Sequence, residues 1–329
     1  MLGLSAWART PWVQRFGSLA DVHPEVLLGE AIAAATERAG LEVSDCSLLM
    51  VACDSPVGAQ ASNLARRVAL LHDAPHLTAL TVDGQGVADL ALVGQAALLG
   101  GGPVIVAGVD STSIVAPGAA LVRDYGRPTT TDVTEASLME AQAGAAAMTT
   151  AGLDEAARVM AQTTAPTSGA HIVSVRVGRG EVTSDDPSER PPTRGLLPLT
   201  DGGVVTAAHT ASLADGAAAV VLTNGPGRPV SSADLMAGAA DNVGDALVLA
   251  CHDAAAPIAL AERSAVLHEI VRASGVGFLD GVNTVLALGS VPSTDGLRML
   301  IDAAESTSDG FTVIGRGRGG QIASVTIGS

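Results

Sequence analysis

The sequence predicts an α/β protein in which a mostly parallel sheet is covered by helices. Three observations carry that expectation. Short apolar runs alternate with longer segments of helical spacing. The same strand, turn, helix and strand order occurs near both ends of the chain. The interior must also close on small side chains: of 329 residues 47% are hydrophobic, only 2% are aromatic, and 38 are glycine, which favours close helix-on-sheet contacts.

From Glu25 to Ala39 apolar residues recur with helical spacing, and Gly40 stands where such a helix stops. Leu48 to Ala52 is a continuous apolar run ending in Asp54-Ser55-Pro56, as in a strand buried on both faces. Ser62 to Leu71 fits a helix and Leu77 to Val82 a strand. The turn Asp83-Gly84-Gln85-Gly86 then leads into a helix from Val87 to Leu99 and a strand from Pro103 to Gly108. Near the other end, Thr284 to Leu288 reads as a strand, Gly289 to Thr294 as a turn, Asp295 to Ala304 as a helix and Phe311 to Ile314 as a strand. Ligands of open α/β sheets bind outside the carboxyl ends of strands, so the two turns are expected to converge on one site. Between the halves the alternation is lost, and segments such as Arg190-Pro191-Pro192-Thr193-Arg194 suggest an inserted loop domain.

Composition excludes several functions. All 18 basic residues are arginine, against 34 acidic residues, for a net charge of −16. A lysine Schiff base and a phosphate-loop lysine are therefore excluded, and nucleic-acid binding is not expected. No apolar stretch is long enough for a membrane span. Cys46, Cys53 and Cys251, the last in an apolar run that reads as a strand, lack paired spacing and no signal pattern opens the chain, so a cytoplasmic location is expected. None of the seven histidines has a partner at metal-ligand spacing, and no metal is expected. Gly315-Arg316-Gly317-Arg318-Gly319-Gly320 has the glycine spacing of a dinucleotide loop, but Gln321 to Ile327 alternates like a strand and only nine residues remain after the loop, too few for a βαβ unit.

Several segments together resemble the thiolase superfamily over nearly the whole chain. They are Asn63-Leu64-Ala65-Arg66, the turn from Thr81 to Gly86, Val106 to Ser113, Thr206-Ala207-Ala208-His209 with Asp215 to Ala219, Ala287 to Ser290, and Gly319-Gly320-Gln321. The resemblance implies two pseudo-repeated βαβ halves with mixed five-stranded sheets, layered α/β/α/β/α. It places an N-terminal half at 1–125 (completed by about 203–224), the loop domain at 126–202 and a shortened C-terminal half at 225–329. It also implies coenzyme A or an acyl-CoA as ligand, and pairing through the sheet edge that includes Pro103 to Gly108.

Thiolases act through a cysteine thiolate at a helix N-terminus, aided by a histidine, an asparagine-held water and a second cysteine. On this chain those positions fall on Gly86, Ser290, Ala261 and Arg316 respectively. None of the four side chains can replace the original chemistry, and a hydroxyl such as that of Ser290 is no base near neutral pH. The expected protein is therefore a thiolase-like chain without Claisen or thiolytic activity, serving lipid or acyl-CoA metabolism. It would be a partner subunit or acyl-CoA-binding protein, as a homodimer or beside an active thiolase or accessory subunit. The alternative is an acyl-CoA lyase or acyltransferase, for example a retro-aldol enzyme, using Asp83 or Glu262 as base. Arg190, Arg194, His209 and Ser212 are the candidate coenzyme A contacts. Against that contact set, the family's phosphate-side motif falls on Leu138-Met139-Glu140, whose glutamate would repel phosphate.

Overall fold

A computed structural model describes residues 2–84, 86–99, 101–116, 135–162, 165–187, 196–237, 242–317 and 320–329. The first half of the chain gives β1 (Gly3–Arg9), β2 (Val13–Gln14), α1 (Pro24–Arg38), β3 (Leu48–Cys53), α2 (Leu64–Leu71), β4 (Thr78–Asp83), α3 (Ala88–Leu99) and β5 (Val104–Ser111). Then follow α4 (Glu135–Ala145), α5 (Thr150–Met160), the hairpin β6 (Val175–Val177) and β7 (Gly180–Val182), and the long strands β8 (Ala214–Thr223) and β9 (Arg228–Ala237). The remainder gives α6 (Val243–His252), β10 (Ile258–Ala261), α7 (Ala265–Ala273), α8 (Val285–Leu288), α9 (Asp295–Ser306), β11 (Phe311–Arg316) and β12 (Gln321–Ile327).

The main sheet runs β4-β3-β5-β8-β1 and continues through β9-β12-β11-β10, with β2 paired to β8. β1 meets β9 over only two residue pairs, Gly3 with Pro229 and Leu4 with Arg228, so one five-stranded and one four-stranded sheet join at a corner. Between them lie α3 and α9, each touching strands of both sheets, while α1 and α2 cover the outer face of the first sheet and α6 packs on β11 and β12 of the second. The α/β/α/β/α layering expected from the sequence is present, and among the described residues the second sheet has four strands where five were expected. β3 pairs parallel with both β4 and β5, as strand–helix–strand connections require.

Three local expectations need correction. Residues 285–288 of the strand expected from Thr284 to Leu288 form the short helix α8 instead: the Thr284 hydroxyl accepts from the Ala287 N–H at 3.1 Å, starting a helical turn. All four α8 residues are buried, so the segment has no polar alternation to tell strand from helix. Cys251 lies on α6 rather than on a strand, through the same ambiguity of an apolar run. The strand expected at a sheet edge, Pro103 to Gly108, is the interior strand β5 between β3 and β8, and the open edge is β4. The dinucleotide-loop reading also ends here, because β11 and β12 form an antiparallel pair with no intervening helix.

The central layer depends on missing side chains. A Cβ on Gly296, in the first turn of α9, would lie 2.6 Å from Leu90 Cγ and 2.8 Å from an Asp89 carboxylate oxygen, both on α3. Leu90, Val93, Leu297, Leu300 and Ile301 belong to one buried cluster that fills this layer. Overpacking such a contact costs about 1–3 kcal/mol. Gly296→Leu is therefore expected to lower the unfolding free energy by that amount, seen as a lower urea midpoint at an unchanged slope in equilibrium unfolding followed by circular dichroism.

Candidate functional site

The site is built where strands and loops of both sheets end. Ala261 and Arg316 terminate the parallel neighbours β10 and β11. Gly86 stands in the turn between β4 and α3, and Ser290 between α8 and α9. The Ser290 backbone N–H donates to the Ser212 carbonyl at 2.7 Å and its carbonyl accepts from Ala214 N–H, which seats this loop on the start of β8. All four positions singled out from the sequence, Gly86, Ala261, Ser290 and Arg316, line one cavity, together with Arg263 and Asp295. Its open volume is about 10 Å³, no more than a single water requires.

Gly86 adopts φ +77°, and a Cβ built there would lie 2.0 Å from the Arg316 carbonyl oxygen. No real Cβ tolerates that distance, so any side chain at 86 demands a backbone shift. The Gly86 N–H donates to the Pro292 carbonyl at 2.8 Å. The position is thus closed by backbone on two sides.

Arg316 is buried and held between two carboxylates. Its Nε donates to Glu262 Oε2 at 2.7 Å, and its two Nη groups reach both carboxylate oxygens of Glu135. Glu262 also accepts from the Ser264 N–H at 2.7 Å. Although burial alone opposes charge on Arg316, the two neighbouring carboxylates outweigh it and hold the guanidinium ionised beyond its ordinary range. Of the two bases expected from the sequence, Glu262 is therefore committed to this pair, and Asp83 is exposed at the end of β4 and does not line the cavity.

The carboxylate that does line the cavity is Asp295. Ser290 Oγ donates to its Oδ2 at 2.6 Å and the Val291 N–H to its Oδ1 at 2.9 Å. Burial pushes its pKa up to about 6, although these donors and the nearby Arg298 and Arg263 oppose the rise. One layer deeper, Asp89 accepts from Leu90 N–H and, across the central layer, from Leu297 N–H, both at 2.8 Å, binding α3 to the start of α9. Burial pushes Asp89 up to about 7. Asp110, at the end of β5, accepts from the Ser293 N–H and hydroxyl and from Asp54 N–H, so it ties the loop before α9 to β3 and β5. Asp89 and Asp295 follow the helix-terminal role that their sequence positions suggest. Their buried state was not legible from local spacing: Asp89 is covered by the start of α9, where it accepts from Leu297, and Asp295 is enclosed by the packing of the cavity wall.

None of the three thiols adjoins the cavity. All are buried, and burial pushes Cys46 up to about 11 and Cys251 up to about 12, while burial with Asp110, Asp54 and Asp83 raises Cys53 further. Each stays a protonated thiol at neutral pH. The four expected coenzyme A contacts divide. Arg190 and Arg194 lie outside the described residues. His209 is fully buried: its Nδ1 accepts from Thr206 N–H at 3.0 Å, so Nε2 carries the proton and donates to Asp154 Oδ1 at 2.8 Å. Ser212 Oγ donates to Gln14 Oε1 at 2.6 Å. Glu140, expected to repel a phosphate, instead accepts from Val204 N–H and Val205 N–H at 2.6 and 3.0 Å and pins the loop ahead of His209.

Among solved structures, the fold is similar to that of the Acat5 thiolase from Ascaris suum, whose structure was determined in complex with coenzyme A. The likeness spans 100% of this chain and 99% of that one, with a TM-score of 0.81 at 20% sequence identity. The chain therefore has the thiolase fold. No protein-family model and no curated protein matches the sequence.

The buried carboxyls give the fold a pH dependence with a definite sign. Asp89 and Asp295 have folded-state pKa values of about 7 and about 6, against about 3.9 for an aspartate in an unfolded chain. Between about pH 4 and 7 the folded protein thus retains protons that the unfolded chain releases, and stability falls as pH rises through that window. Asp89→Asn is expected to flatten this fall by up to about 1.4 kcal/mol per pH unit, read from urea unfolding in steps from acidic to neutral pH. An unchanged slope would refute the assignment.

Proposed function

We infer that this thiolase-fold chain works without Claisen or thiolytic activity, as a non-catalytic partner subunit or an acyl-CoA-binding protein in lipid or acyl-CoA metabolism. The observation that carries the reading is the Gly86 position. Thiolytic chemistry needs a nucleophile there, and the Arg316 carbonyl occupies the space of its first side-chain atom. Ser290 in place of a histidine base and Arg316 in place of an acid/base cysteine support the same reading. The three unpaired thiols fit a reducing cytoplasm. Among the described residues no helix is long and apolar enough to cross a membrane.

Coenzyme A or an acyl-CoA is proposed as ligand by likeness to the neighbour that holds coenzyme A. A second chain is proposed to pair at β4, the edge of the first sheet among the described residues, where alternate backbone groups have no strand partner within them. That chain is either another copy or an active thiolase.

One alternative has a specific observation in its favour. Asp295 lines the cavity, is oriented by Ser290 and has a pKa close to the physiological range. A carboxylate so placed suits proton abstraction in an acyl-CoA lyase of retro-aldol type.

Incubation with acetoacetyl-CoA and coenzyme A, followed by loss of the thioester absorbance, tests the main reading. No turnover is expected from the wild type or from Gly86→Cys, because the new side chain meets the Arg316 backbone. Turnover of roughly 1–1,000 per second, as in ordinary enzymes, would overturn it. The pairing is checked by light scattering, where a mass of two chains is expected; a monomer, alone and mixed with an active thiolase, would count against it. If acyl-CoA binds, saturating ligand is expected to raise the melting temperature.

A further inference from the structure

Glu135 differs from the other members of the ion cluster beside the cavity. The Arg316 and Glu262 side chains are each 1% exposed and lock together, whereas the Glu135 side chain is 37% exposed and begins α4. Its carboxylate bridges two arginines that line the cavity: it accepts from both Nη groups of Arg316 and lies 4.0 Å from Arg263 Nη2. Arg263 is partly exposed, so this corner of the cavity communicates with solvent.

We propose that the paired guanidinium groups of Arg263 and Arg316 form a binding site for a small carboxylate ligand, and that Glu135 is its built-in occupant. The geometry is that of carboxylate recognition: a planar guanidinium offers two parallel donors, and Glu135 takes them with both oxygens. A ligand carboxylate entering as Glu135 rotates outward replaces one negative charge with one negative charge. Arg316 is never left unpaired, and Glu262 keeps its hold on Nε. The exchange therefore avoids the cost of a stranded buried charge. The vacated position adjoins the cavity that Arg263 and Arg316 line. The contact is self-inhibitory, since the protein's own carboxylate competes with the ligand at an effective concentration set by the chain. This inference stands whether or not the protein binds an acyl-CoA.

Calorimetric titration of malonate into the full-length chain tests it, with malonamide at equal concentration as the uncharged control. Glu135→Ala is expected to bind malonate at least about tenfold more tightly than the wild type, and Glu135→Gln to fall between them. Adding Arg263→Ala to Glu135→Ala is expected to remove the gain, and malonamide to bind none of the variants. The Gln variant, which keeps the shape of the side chain, decides the matter if the Ala variant is unfolded by circular dichroism. Equal malonate affinity in the wild type and the folded Glu135 variants, a gain that survives loss of Arg263, or equal binding of malonamide would each overturn the proposal.

Discussion

A glycine-bearing turn and the glycine-bearing end of β11 touch, backbone to backbone, and the site takes its character from that contact. A Cβ on Gly86 would lie 2.0 Å from the Arg316 carbonyl, and a Cβ on Gly315 would lie 2.7 Å from the Gly86 carbonyl. Each position accepts only glycine because the other segment's backbone fills the space a Cβ would need. The approach brings the end of β11 against the start of α3, and so fixes where the Arg316 guanidinium emerges. The space that a reactive side chain would need is consumed by peptide, and the remaining cavity is bounded by charged groups.

Those charges are arranged by burial more than by sequence neighbourhood. Arg316 is stabilised by Glu262 and Glu135, which come from the end of β10 and the start of α4. A similar device operates in another part of the fold, where the buried Arg9 donates to both Asp185 and Asp302, and Arg298 shares Asp302. In each case a cation is enclosed by carboxylates from distant segments, as a buried charge requires if it is not to be stranded. Asp89, Asp110 and Asp295 solve the opposite problem. They lie buried without an arginine beside them in a hydrogen-bonded pair, accept from backbone N–H groups, and have pKa values raised by burial. The backbone donors orient them and reduce the desolvation cost without removing it.

Much of the architecture was legible from the chain. The strands β3, β4, β5 and β11 and the helices α1, α3 and α9 follow from apolar spacing and glycine punctuation, with ends within a few residues. The strand from Gln321 to Ile327 follows from its alternation. The expected meeting of the turn at Gly86 with the turn at Ser290 is realised in one cavity. What failed was local: four apolar residues at 285–288 carry no periodic signal, and the edge position of β5 was a topological matter that no single segment encodes. At the site, Asp295 was visible as a helix-terminal carboxylate, but its place at the cavity wall with Ser290 was not. Glu135 and Arg263 gave no spacing signal at all, because their partners are contributed by other elements.

The sequence by itself determined the layered α/β plan, the small-residue interior and which residue types stand at the four motif positions, since periodicity, glycine placement and residue chemistry are properties of the chain. Only the tertiary structure decided that Gly86 is sealed by a carbonyl, that Arg316 is buried between two glutamates, and that Asp83 lies outside while Asp295 lies at the wall. These depend on distances of a few ångströms between segments far apart in the chain. Burial, hydrogen bonding and charge act across space, and the folded backbone sets that space.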